Sequence, residues 1–154
     1  MAMELYVLSD RRLASIGEWQ QAIDAEGFAL RLSDETPLDA VDGFLPAQVN
    51  GKSAGFECNH WDAGELMTEA AEIDFGHAWK HALAFRWLGS KLEEGDAAMM
   101  AATAYARATA GVILDCDNDR LLEPDQLKEI IRASQQSRPV LEEAVRRMIE
   151  QLKS

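Results

Sequence analysis

The chain has 154 residues, of which 47% are hydrophobic and 27% charged, and its formal net charge is −12 at pH 7. This length suits one domain that folds without a metal or a disulfide framework. The negative charge argues against nucleic acid and anionic membranes as partners, and no apolar run approaches the ~20 residues of a membrane span.

The first thirty residues predict a strand, a helix and a second strand. Residues 4–8 form the first strand, and Ser15 with Glu18 is a capping box that opens the helix. After Gly27, apolar residues alternate over 28–32, as in a strand. A β-α-β order of this kind predicts that both strands lie in one sheet.

A β-hairpin is predicted at Asn50-Gly51, which favours a type I′ turn between two extended runs. A two-residue loop pairs Val49 with Lys52 and Leu45 with Phe56, so the apolar residues of both strands share one face. Pro46 removes a backbone donor and favours an edge strand. Further on, Asp62 with Glu65 is expected to cap a short helix over residues 66–71.

The stretch from 79 to 116 predicts a strand, a long alanine-rich helix and another strand. Large apolar residues occupy every second position over 79–87, with His81 in the same register as a core histidine. Ser90 with Glu93 predicts the helix start, and Gly111 its end after Thr109.

The C-terminal segment, about 124–152, predicts two helices. Pro124 suits a first helical position, and Ser137-Arg138-Pro139 is expected to break the helix. The last helix has one apolar side, formed by Leu141, Ala144, Val145, Met148 and Leu152. Together these elements predict a single α+β domain. It has a mostly antiparallel sheet of five or six strands, on which a central alanine-rich helix and the C-terminal helices pack.

The charge is unevenly distributed. Residues 32–79 contain ten acids and one base, Lys52, for a net charge of −9, whereas residues 80–154 contain twelve acids and eleven bases. A concentrated acidic field attracts basic partners and repels phosphates. Plain solubility is the alternative explanation of the same field.

No motif predicts a metal, a cofactor or a set of catalytic residues. Asp115, Asp117 and Asp119 match an EF-hand loop in part, but Arg120 stands where the turn needs glycine. The four residues Cys58, His60, His77 and His81 do not have the spacing of a common zinc site. Phosphate-loop and nucleophile-elbow patterns do not occur in the sequence.

Trp61 stands out among the aromatic residues because charged residues surround it in a polar segment, a setting typical of interface anchors. We therefore predict that the segment 57–74 binds a partner protein. The predicted partner-binding residues are Glu57, Trp61, Asp62, Glu65, Glu69, Glu72 and Asp74.

In its small size, acidity and lack of a catalytic signature, this α+β chain resembles the bacterial immunity proteins that accompany polymorphic or contact-dependent toxins. The resemblance implies a cytoplasmic inhibitor that binds a basic toxin domain and blocks its active site or another essential surface.

Two alternatives belong to other classes. One is a small enzyme or ligand-binding domain that uses His60, His77 and the neighbouring carboxylates, for which a pocket converging on these residues would be expected. The other is a subunit that forms a homodimer through its C-terminal helices. Both cysteines are expected to be reduced thiols.

Overall fold

Six strands form one antiparallel sheet, and three more form a second, smaller sheet. The computed structural model describes residues 2–33 and 37–153, with the backbone but not the side chain of Leu141. The strands are Ala2–Ser9 (β1), Leu30–Leu32 (β2), Asp42–Leu45 (β3), Ala47–Val49 (β4), Lys52–Ser53 (β5), Phe56–Trp61 (β6), His81–Leu88 (β7), Val112–Asp115 (β8) and Arg120–Leu122 (β9). In the larger sheet they follow the order β3-β6-β7-β1-β8-β9, and in the smaller one β2-β4-β5. The helices are Ile16–Ala25 (α1), Ala63–Glu69 (α2), Leu92–Thr109 (α3) and Pro124–Lys153 (α4).

The predicted fold class is confirmed: the described chain is a single α+β domain built on an antiparallel sheet of six strands. The central helix α3 lies between the two sheets and also contacts α1 and α4. Its alanines are buried on several sides because small side chains let the neighbouring elements approach closely. None of the described helices is long and apolar enough to span a membrane.

The predicted Ser15 cap of α1 is present, with the Glu18 carboxylate accepting from the Ala14 backbone N–H, but the second strand lies in a different sheet from the first. The Ser15 hydroxyl accepts a hydrogen bond from the Glu18 backbone N–H at 3.0 Å. The prediction that β1 and β2 share a sheet is wrong, because β2 pairs with β4 of the smaller sheet.

The reason lies in the hairpin that follows β2. Its predicted register is confirmed, since Val49 pairs with Lys52 and Leu45 with Phe56. The hairpin bends at Pro46 and Gly55. Its two arms therefore keep one continuous register, although they pair first in the larger sheet and then in the smaller one. A side chain at Gly55 would overlap the ring of Phe44 and the carbonyl of Leu45.

The strand–helix–strand unit of residues 79–116 is confirmed, with different ends. The capping prediction at Ser90 is wrong: α3 begins at Leu92, and the preceding Lys91 makes no side-chain cap. His81 is half-buried at the first position of β7, so it is not a core histidine. Two other side chains of its register, Leu83 and Phe85, are buried against α3.

The predicted break near Pro139 is also wrong, because α4 runs without interruption from Pro124 to Lys153. Proline in a helix interior removes a hydrogen bond and costs about 3 kcal/mol. On one side of it, Leu127 and Ile131 anchor the helix in the core. On the other side, ion pairs one turn apart stabilise the helix, as between Glu143 and Arg146. The predicted apolar position Leu141 has its side chain outside the described part.

The larger sheet buries a core on each face. One face packs against α1, α3 and α4, and the opposite face packs against α2. On that opposite face, Ala63 and Leu66 of α2 contact Tyr6, Leu8 and Ala82 of the sheet. The sheet therefore separates α2, which carries part of the acidic segment, from α4.

Candidate protein-binding surface

All seven predicted partner-binding side chains are exposed in the structure. We call them the acidic surface; it consists of Glu57, Trp61, Asp62, Glu65, Glu69, Glu72 and Asp74. Two further carboxylates of the same charged segment, Asp34 and Glu35, lie outside the described residues. The surface extends along β6 from Glu57 to Trp61, over the outer side of α2 and over the loop after α2.

Strand alternation places Glu57 and Trp61 on the face of the sheet that α2 covers. Phe56 and Cys58 point to the opposite face, into the core with α3. Glu57 and Trp61 are four residues apart on one strand, which corresponds to about 13 Å. Trp61 is 45% exposed, so a large part of its indole is available to a partner.

Helix α2 presents the next carboxylates because its first turn is capped as predicted. The Asp62 side chain accepts a hydrogen bond from the Glu65 backbone N–H at 2.8 Å. Burial of Leu66 fixes the orientation of the helix, which leaves Glu65 and Glu69, four residues apart, on its outer side. In the following loop, the Asp74 carboxylate accepts a hydrogen bond from Gly76 N–H at 2.9 Å.

The carboxylates of the acidic surface form no ion pairs within the described part of the chain, although Arg86 lies opposite Glu57 on the neighbouring strand. None of the ion pairs among the described residues uses any of the six. Basic residues elsewhere pair with their own acids, as Arg107 does with Glu26 and Asp125. The negative charge of the acidic surface is therefore not neutralised by ion pairs within the described part of the chain.

Phe44 extends this surface, and the sequence analysis missed it. It lies on β3 directly opposite Glu57, and Glu57 lies opposite Arg86 of β7. Phe44 is 63% exposed, and Leu88 on the same face of β7 is also exposed. The signal was available in the sequence, because the register that pairs Leu45 with Phe56 turns Phe44 to the other face.

A cavity of about 530 Å³ adjoins the acidic surface and shares Glu57 with it. Both aromatic and charged side chains line the cavity. The main contributors are Phe44, Glu57, Arg86, Trp87, Lys91 and Glu94. The acidic surface is therefore not flat, because this cavity opens beside Phe44 and Glu57.

Two buried or half-buried groups next to α2 have strongly raised pKa values. Burial, together with a hydrogen bond of 2.5 Å donated to the Glu4 carboxylate, raises the pKa of Tyr6. Burial and the nearby carboxylate of Glu4 raise the pKa of Cys116 to about 12. Both cysteines are free thiols, and burial raises the pKa of Cys58 as well. A thiol with a raised pKa is a poor nucleophile at neutral pH.

The histidines of the alternative hypothesis do not share one of the described cavities. His77 contacts the Asp10 carboxylate through Nε2 at 2.7 Å, and both side chains are largely exposed. His60 contacts the Leu38 carbonyl oxygen at 2.9 Å. Four cavities of about 270 to 570 Å³ are lined by described residues, and neither histidine lines any of the four.

In the aspartate-rich turn between β8 and β9, the Asp115 carboxylate accepts hydrogen bonds from side chains of neighbouring residues. Asp115 accepts from Arg120 Nε at 3.0 Å and from Asn118 Nδ2 at 2.8 Å. The short strand β9 that follows it was not predicted. Over residues 2–33 and 37–153, no group of three or more metal-ligating side chains is arranged to hold an ion.

No protein-family model matches the chain, and no curated protein or solved structure is significantly similar to it.

Proposed function

We propose that this chain is a non-catalytic binding protein that captures a basic partner protein through the acidic surface. One observation carries the proposal: six exposed carboxylates that form no ion pairs among the described residues lie in one segment with an exposed tryptophan. Uncompensated charge of one sign attracts a surface of the opposite sign and accelerates its association.

The arrangement favours a protein partner over the other classes of ligand. Carboxylates repel the phosphates of nucleic acid and of anionic lipid. Exposed Trp61 and Phe44 supply apolar contact area, and aromatic residues contribute a large share of the binding energy in protein interfaces. A partner that combines lysines or arginines with apolar side chains complements both features.

Within this proposal, the partner is a basic toxin domain and the chain is its immunity protein, acting in the cytoplasm of a bacterium. An inhibitor of this kind needs steric coverage and fast association, and it needs no catalytic group of its own. The acidic surface supplies fast association, because charge steering raises association rates by 10- to 1,000-fold at low ionic strength, an order-of-magnitude range.

A comparison of two baits tests the proposal. The wild-type chain and a Glu65→Lys/Glu69→Lys/Glu72→Lys variant are immobilised and exposed to a lysate of the source organism, and bound proteins are quantified by mass spectrometry. A matched control reverses three exposed acids elsewhere, Asp24, Glu123 and Glu129, and has the same net charge as the variant. All three substituted sites of each variant are exposed, so both variants are expected to fold.

The expected result is a basic protein that wild type and the control retain and the variant loses. Suppression of that protein's toxicity by co-expression of the wild-type chain would establish the immunity role. Equal retention by all three baits, or retention of acidic proteins only, would contradict the proposal.

A further inference from the structure

The second half of α4 extends beyond the body of the protein. Its last ion pair with α3 joins Arg138 to the buried Asp96, at 2.8 and 3.2 Å. From Pro139 to Lys153, nearly all described side chains are exposed. An isolated helix of about 15 residues is marginally stable in water. The large apolar side chains that the structure describes in this half are between 47% and 85% exposed; they are Val140, Val145, Met148, Ile149 and Leu152.

Four of these five apolar residues share one side of the helix. At 100° per residue, Val145, Met148, Ile149 and Leu152 fall within an arc of about 100°, and Val140 lies on the opposite side. A groove of about 570 Å³ runs along Val145 and Ile149. Leu92, at the start of α3, lines the same groove and is itself exposed.

The charges that line this groove alternate in sign once per turn. In order along the helix they are Arg138, Glu142, Arg146, Glu150 and Lys153. A second copy laid parallel and in register would place like charges opposite each other. A copy laid antiparallel, with a two-fold axis beside residue 144, places Glu142 opposite the partner's Arg146 and Glu150 opposite the partner's Arg138. The stripe is therefore complementary to itself in an antiparallel two-fold pair and not in a parallel two-fold pair, which must be in register.

We propose that this face of α4 is the interface of an antiparallel homodimer. The two helices overlap over residues 138–150, which is about 20 Å of helix. Each copy covers the apolar side of the other, and the end of each α4 approaches Leu92 of its partner. The interface is isologous, as expected for a two-fold dimer. Because α2 packs on the opposite face of the larger sheet from α3 and α4, both acidic surfaces remain accessible in the dimer.

The molar mass in solution tests the interface. Sedimentation equilibrium of the full chain at about 100 μM is expected to give about 34 kDa, twice the 17.1 kDa of one chain. Val145→Asp/Met148→Asp is expected to give the monomer mass. Val140→Asp is the matched control, because it puts a charge at an exposed site of the same helix on the opposite side, and it is expected to remain dimeric. A monomeric wild type, or dissociation by Val140→Asp to the same extent, would overturn the proposal.

Cross-linking tests the direction of the helices. In a Cys116→Ser background, Val145→Cys places a thiol beside the two-fold axis, so oxidation is expected to produce a covalent dimer. Leu152→Cys places the two thiols about 24 Å apart in the antiparallel dimer, too far for a disulfide. Efficient cross-linking of Leu152→Cys would show a parallel pair and overturn the antiparallel assignment. Failure of these tests would leave the acidic surface unaffected, because its bait comparison does not depend on dimer formation.

Discussion

At the scale of single residues, the end of α3 depends on two neighbouring residues that have different roles. The sequence indicates that Gly111 ends α3, and the helix does end just before it, at Thr109. However, the left-handed residue is Ala110, with φ of 54°. Gly111 is needed for a close approach, because a side chain there would overlap the backbone carbonyl of Leu8. The sequence could not separate these roles, because the second depends on where β1 passes.

This division predicts opposite effects of two small substitutions. Ala110→Gly is expected to stabilise the protein by about 1 kcal/mol, because glycine adopts the left-handed conformation without strain. Gly111→Ala is expected to destabilise it by about 2 kcal/mol or more, since the backbone of β1 must move. Urea unfolding followed by circular dichroism measures both. A stabilising Gly111→Ala would contradict this account.

His81 predicts a pH dependence of stability. Partial burial, and then the positive charge of Arg12, lower the pKa of His81 below its ordinary value of 6.5. The unfolded chain therefore takes up this proton at a higher pH than the folded chain does. Stability associated with His81 is present above pH 6.5 and decreases as the pH falls through that value.

The comparison of wild type with His81→Gln isolates this contribution from the other histidines. The free energy of unfolding is measured at pH values of about 7.5 and 5.5. Wild type is expected to lose more stability on acidification than His81→Gln. An equal loss in the two proteins would show that His81 titrates alike in the folded and unfolded states.

At the scale of elements, the turn signal at Asn50-Gly51 predicted the pairing of its own hairpin, whereas the sheet that β2 joins was not predicted. The turn at Asn50-Gly51 set the register of its hairpin, because a two-residue loop fixes which residues face each other. The bend at Pro46 and Gly55 then moved β4 into a second sheet, where β2 joined it. The position of β2 depends on that bend, so the β-α-β order alone gave the wrong sheet.

The contact between α3 and α4 predicts which arginine of α4 matters for stability. Arg138 forms two hydrogen bonds with Asp96, which is only 3% exposed. Arg138→Ala leaves a buried carboxylate unpaired and is expected to destabilise the protein by about 2 kcal/mol, less than for a fully buried pair because Arg138 is partly exposed. Arg132 pairs with exposed Glu129 in the same helix, so Arg132→Ala is expected to cost about 0.5 kcal/mol or less. Equal losses in chemical denaturation would contradict the anchoring role of Arg138.

At the scale of the whole molecule, charge is the feature that the sequence predicted most directly. Counting acids and bases located the acidic region 32–79, and Trp61 then indicated the segment 57–74. Every carboxylate named in that segment is exposed and forms no ion pair among the described residues. The counts could not show that Phe44 and Leu88 extend the same face, because β3, β6 and β7 come together only in the sheet. They also could not show that the second half of α4 is exposed, since its exposure depends on where the contacts between α4 and the rest of the protein end, near Arg138.

The central claim is that the acidic surface steers a basic protein into a complex. Its most direct test is the association rate constant, measured by surface plasmon resonance with the captured partner at about 50 and about 500 mM salt. For wild type we expect a fall of about tenfold or more between the two salt concentrations, with a much smaller change in the dissociation rate. Glu65→Lys/Glu69→Lys/Glu72→Lys is expected to associate slowly at both concentrations. Association that does not depend on salt, or that the three reversals leave unchanged, would contradict the claim.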